Sequence, residues 1–233
     1  MVKEIQSSIK NHELLAKRRE EIVMTSSKLF MRKGFERTSV REIAKACGLT
    51  VGGLYRYVGS KDDILWLTTV FGDFAGENLL DGLRQQVRGL QPIDALRESI
   101  IVYFRSVNEY QDLYNFHNHV VWTATKDFRK TIFTREIDKI DYFKQLVEQG
   151  IKSGDFVTDD ARLVAHNIVI AGNAWANRRW YLREFYTLDE YIKKEIEYVL
   201  TAIHSKRSDL STDNSGSGCE VKRNTDFENT REC

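Results

Sequence analysis

Cys47–Lys61 reads CGLTVGGLYRYVGSK and sets Gly52 and Gly53 side by side where the helical spacing of Leu54, Tyr57 and Val58 asks for a first turn. A glycine inside a helix costs about 1 kcal/mol relative to alanine. A helix start that carries two invites the reading that something large must come close to its backbone. The other reading is the ordinary tolerance of helix ends for glycine. Thr50 stands at the N-cap, where its hydroxyl can accept a bond from a first-turn N–H.

The same punctuation runs upstream and downstream. Arg18–Lys33 has the spacing of a helix, with Ile22, Val23, Ser26, Leu29 and Phe30 on one face and Gly34 as its stop. Ser39 and Glu42 fit a capping box, followed by a stripe of Val40, Ile43, Ala44 and Cys47 and a stop at Gly48. Ser60 caps a fourth helix, whose Asp62 and Asp63 suit its positive end. Two short helices joined by Cys47–Thr50 make a helix-turn-helix. Ala44 is small enough for the crossing, Gly48 supplies a left-handed turn, and Val40, Ile43, Leu49, Leu54 and Tyr57 lock the pair. Val51, Gly52, Gly53, Tyr55 and Arg56 are then left facing outward at the end that enters a DNA major groove. A plain three-helix bundle with an ordinary turn is the competing reading.

One proline in 233 residues, with 42% hydrophobic residues, leaves room for long helices and implies an all-α chain. Further helices are expected near 61–72, 75–89, 92–109, 111–125, 127–152, 159–184 and 188–205. The charge is uneven. Residues 1–61 hold 13 Lys/Arg against 6 Asp/Glu, and the rest holds 22 against 28. A basic front with an acidic remainder suits a polyanion contact at one end. Cys47, Cys219 and Cys233 show no metal-ligand spacing, and His117 and His119 point to different helical faces, so no metal and no cofactor are expected. P-loop, G-x-S-x-G and H-E-x-x-H patterns are missing from the sequence, and it is not read as an enzyme. No apolar run nears the ~18 residues of a membrane helix, which points to a cytoplasmic protein with no membrane contact.

The stretch FERTSVREIAKACGLTVGGLYRYVGSKDDIL resembles the DNA-binding domain of TetR-family transcriptional regulators. Gly34-Phe35, Thr38-Ser39, Ile43-Ala44, Gly48, Gly52, Leu54-Tyr55, Tyr57 and Lys61 carry the likeness over residues 15–65. Val51 departs from the common polar residue, and Val58 from the usual Phe. The resemblance implies that Thr38 and Ser39 lie near the DNA backbone, and that Thr50, Tyr57 and Lys61 touch phosphates. It implies that Val51, Gly52, Gly53, Tyr55 and Arg56 face the groove. It also implies a homodimer on a palindromic operator, acting as a repressor released by a small-molecule effector held among the middle helices. Candidate effector contacts are Tyr103, Phe104, His117, Trp122, His166, Asn173 and Trp175. The segment NAWANRRWYLREFYTLDEYI is similar to regulators that answer to acyl-CoA, with Arg178 and Arg179 placed to meet CoA phosphates. Ordinary core packing, or salt bridges to Glu184 or Asp189, would serve these residues equally well.

The expected layout is a flexible arm at 1–17 and a three-helix helix-turn-helix DNA-binding domain at 18–62. A larger helical ligand-binding and dimerisation domain follows at 63–205, then a disordered tail at 206–233. An all-helical enzyme or carrier with an incidental helix-turn-helix is the alternative.

Overall fold

Side-chain caps start most of the helices. The computed structural model describes residue 5, residues 7–121 and residues 125–204, apart from the side chains at 69–78, 120, 127 and 204. Trp122 and the tail at 206–233 lie outside the described residues. Asn11 opens α1 (His12–Lys33) by accepting from the Leu14 N–H at 2.9 Å. The helix therefore begins six residues before the expected Arg18, because a cap and the acidic Glu13 extend it without an apolar stripe. Ser39 and Glu42 form the full capping box of α2 (Val40–Ala46). Thr50 caps α3 (Val51–Leu54), and Ser60 caps α4 (Lys61–Gln86).

There follow α5 (Pro92–Glu109), α6 (Gln111–Val120), α7 (Lys126–Ser153), α8 (Ala161–Asn177), α9 (Arg179–Leu182) and α10 (Leu188–His204). The described residues contain helices and turns but no strand. α6 stops at Val120, short of the expected 125, and two further expected layouts differ. The helices expected at 61–72 and 75–89 are one, since glycine costs a helix only about 1 kcal/mol and no proline intervenes. The helix expected at 159–184 breaks at Arg178 (φ −117, ψ 18). There Trp175 donates to Asn108 at 2.9 Å and Arg179 to Gln111 at 2.6 Å, which holds the turn against α5 and α6.

Two clusters of buried side chains organise these helices. The first unites Ile22, Val23 and Phe30 of α1, Ile43 and Ala44 of α2, Leu54 of α3, Val58, and Ile64 and Leu67 of α4 with Leu113 and Phe116 of α6. The second joins the end of α4 to α5, α7, α8 and α10 around Tyr103, Phe104, Phe143 and Trp175. Small residues on α8 admit the α5 rings. A Cβ at Gly172 would lie 2.6 Å from Tyr103 and 3.2 Å from Phe104.

The break after α7 is built by Gly154 in the left-handed region (φ 84, ψ 5). It lets the Asp155 and Phe156 N–H groups return to the Gly150 carbonyl at 2.9 and 3.0 Å. The Phe156 ring then covers Gly150, where a Cβ would sit 2.0 Å from the ring. Gly150→Ala should therefore lower stability by about 1–3 kcal/mol through overpacking, despite the better helix former. Urea unfolding of the full chain measures it, and an unchanged or raised midpoint would contradict this packing.

Candidate nucleic-acid interface and internal cavity

The α2–α3 turn follows from Gly48 at φ 67 and from the Leu49 N–H reaching the Ala44 carbonyl at 2.8 Å. With Leu54 and Val58 fully buried, the helix can turn only one way, and Val51, Tyr55 and Arg56 project outward. The two glycines then separate. A Cβ at Gly52 would meet nothing within 4 Å, so no neighbour within the chain demands a glycine there. A Cβ at Gly53 would come 3.1 Å from the Thr50 hydroxyl that caps the helix, so this glycine also serves the cap.

The polar candidates around this surface hold the head together. The buried Thr38 hydroxyl donates to the Gly34 carbonyl at 2.9 Å. Ser39 is occupied by its capping box, where Lys33 and Ser39 pull the Glu42 carboxyl down to a pKa of about 2. The Lys61 ammonium reaches the Phe35 and Thr38 carbonyls at 3.0 and 3.3 Å and lies 4.2 Å from the centre of the Phe35 ring. It thereby staples α4 to the loop before α2. Tyr57 is half-buried against the same core.

Within the body, a cavity of about 350 Å³ lies between α6, α7 and α8. His117 and Asn173 line it, with Tyr114, Val121, Ile132, Phe133, Glu136, Lys139 and Ile170. Lys139 is buried, ion-paired with Glu136, and lies over the Tyr114 ring at 5.1 Å. Asn173 donates to Glu136 at 3.3 Å and accepts from the Tyr103 hydroxyl at 3.1 Å. Asn118 also lines it, so an apolar wall of Val121, Ile132, Phe133 and Ile170 faces a linked Lys139–Glu136–Asn173 set, with His117 and Asn118 beside it, which suits a ligand both apolar and hydrogen-bonding. A second, open cleft of about 570 Å³ is lined by Met31, Gln111, Asn115, Asn118, His119, Asn177, Arg179, Trp180 and Arg183.

Residues 22–65 match the family described as bacterial regulatory proteins, tetR family. The regulator HbdR of Aromatoleum sp. (strain CIB) is 27% identical over 82% of this chain and 82% of its own. The repressor KstR2 of Rhodococcus jostii (strain RHA1) is 29% identical over 81% of this chain and 92% of its own. This chain carries the tetR-family segment at residues 22–65 and is similar to HTH-type transcriptional regulators over about four-fifths of its length. Its fold is shared by AibR, solved with isovaleryl coenzyme A and operator DNA, at a TM-score of 0.58 and 21% identity over 80% of this chain and 97% of that one. HbdR and KstR2 are named as an HTH-type transcriptional regulator and an HTH-type transcriptional repressor. No described helix is long and apolar enough to cross a membrane.

The effector candidates of this chain are not gathered in one place. His117 and Asn173 face the cavity, and Tyr103 reaches it through Asn173. Phe104 and Trp175 sit in the core, each stacked on Tyr191. His166 is exposed on α8. Arg178 is exposed at the α8 break, and Arg179 lines the open cleft. Sequence reasoning missed Glu136, Lys139 and Tyr114, because a Lys three residues after a Glu reads as a solvated helical pair.

His117 reaches across to a neighbouring helix. Its Nε2 lies 2.8 Å from the Thr68 carbonyl of α4, and desolvation holds its pKa near 4. The unfolded chain, with histidine near its ordinary 6.5, binds the extra proton first. Stability should therefore fall as pH drops from about 6.5 to about 4 and gain no further slope from this group below that. His117→Gln should flatten that segment of a urea-midpoint profile, and an unaltered profile would show that His117 is not its source.

Proposed function

We propose that this chain is a repressor that binds a palindromic operator as a homodimer and is released by an acyl-CoA-like effector. We read residues 18–62 as the DNA-binding unit and 63–205 as the effector-binding and dimerisation unit. The observation that carries the reading is the bare, outward start of α3 at Gly52. Its own fold leaves that backbone uncovered, beside the exposed Val51, Tyr55 and Arg56. A major groove accepts such a helix end, with Arg56 directed to a guanine edge and Tyr55 to a thymine methyl. Ser39, Thr50, Tyr57 and Lys61 flank that surface in the chain, where phosphates would lie, while the buried Thr38 braces the turn from within.

A four-residue helix reaches few bases, which favours two copies. Leu163 of α8 and Tyr198 of α10 are 54% and 73% exposed, apolar surface of the kind a matching copy would cover. Release is supported by the shared helix α6. Leu113 and Phe116 belong to the head's core, while Tyr114 and His117 face the cavity. An acyl group fits the cavity's apolar wall, and the guanidinium groups of Arg179 and Arg183 in the open cleft suit phosphates.

Selection of bound DNA from random duplexes by the full chain tests this, repeated with acyl-CoAs of increasing chain length. The expected product is a palindrome with half-sites about one helical turn apart, released by at least one acyl-CoA. An asymmetric site, or release by none, would overturn the corresponding part. Arg56→Ala should cost about 1–3 kcal/mol of specific affinity and relax preference at one base pair. Equal binding of every sequence change by variant and wild type would remove Arg56 from base reading.

A further inference from the structure

The exit of α3 is held by chain from far upstream. A helix leaves its last carbonyls without intrahelical partners. Here the Arg56 carbonyl accepts from the Ser7 hydroxyl at 2.9 Å and the Ser8 N–H at 3.2 Å. The next carbonyl, Tyr57, accepts from Nε of Arg19 on α1 at 2.9 Å. The same guanidinium uses Nη2 to reach the Ile5 carbonyl at 2.8 Å, and Ile5 packs against the head's core. Arg19 therefore ties α1, the upstream segment and the end of the recognition helix into one closed set of bonds. Asp63, in the first turn of α4, adds an opposing charge nearby.

We propose that Arg19, with the strap formed by Ile5, Ser7 and Ser8, is a positioning device for sequence reading, setting the angle at which Tyr55 and Arg56 meet the bases. The proposal rests on the DNA-regulator reading above and adds residues that touch no base themselves. The chemistry suits arginine in particular. Its planar fork fixes two carbonyls at set angles, whereas the lysine ammonium is a point charge on a flexible stem. Phosphate attraction tolerates small rotations of a helix, while a paired hydrogen bond to a base edge does not. A loosened strap should therefore weaken discrimination more than general attraction to DNA.

The test compares wild type, Arg19→Met, Arg19→Lys, Ser7→Ala and a chain lacking residues 1–9 on the selected duplex and on a scrambled one, across a salt series. Arg19→Met and the shortened chain should lose about tenfold on the selected duplex, the size of one weakened base contact, while the scrambled duplex changes by less than about twofold. The salt slope should stay the same, since no phosphate contact is removed. Arg19→Lys should not restore discrimination. Equal losses on both duplexes with a shallower slope, rescued by lysine, would make Arg19 a phosphate contact and overturn the proposal. Unchanged discrimination in all variants would overturn it as well. Should Arg19→Met fail to fold, Ser7→Ala and Arg19→Lys decide the matter by the same comparison. A wild-type chain that discriminates no sequence would instead overturn the regulator reading, and the strap with it.

Discussion

A helix of four residues has no stability of its own, because isolated helices are marginal below roughly 12–15 residues. The short helix α3 therefore exists only through the burial of Leu54 and Val58, both with no exposed surface. Fully burying such a side chain is worth about 1.5–3 kcal/mol, enough to offset the two glycines that weaken the helix. The inward face supplies the order. The outward face can then carry Val51, Gly52, Tyr55 and Arg56 with little regard to helix propensity.

The same burial ties the head to the body. The core around Leu54 is completed by Leu113 and Phe116 of α6, with the Phe116 and Phe30 rings 5.7 Å apart. The long α4 also serves both units, giving Ile64 and Leu67 to the first core and Leu80 and Leu83 to the second. His117 links these two shared helices through the Thr68 carbonyl. Close-packed cores transmit displacement because they hold few voids to absorb it. Head and cavity are thus neighbours through two helices rather than through a loop.

Polar residues around the outward surface of α3 divide by what their atoms already do. Thr38, Ser39, Thr50 and Lys61 all bond the chain's own backbone or its capping carboxylate. A pattern of residue types that looks like a set of phosphate contacts is, in this structure, also the scaffold that sets the turn. Lys61 is the clearest case. Its ammonium sits against the Phe35 ring and two loop carbonyls, and it holds α4 in register with the start of α2.

By itself the sequence determined whatever depends on neighbours a few positions away. The Thr50, Ser39 and Ser60 caps, the left-handed Gly48, and the helical stripes through Ile22, Ile43 and Leu54 are local signals, and they suffice for an all-α chain with a helix-turn-helix. The uneven charge was equally legible, since it needs only counting. Tertiary structure alone decided what depends on distant partners. Arg19 meets Tyr57 across 38 positions, Lys61 meets Phe35 across 26, and Tyr103 meets Asn173 across 70. It also decided that Lys139 and Glu136 turn inward to a cavity, while Phe104 and Trp175 fill the core. Helical periodicity names the buried face of each helix, but which helix covers that face, and where the packing leaves a space, is set by side chains that meet only after the chain has folded.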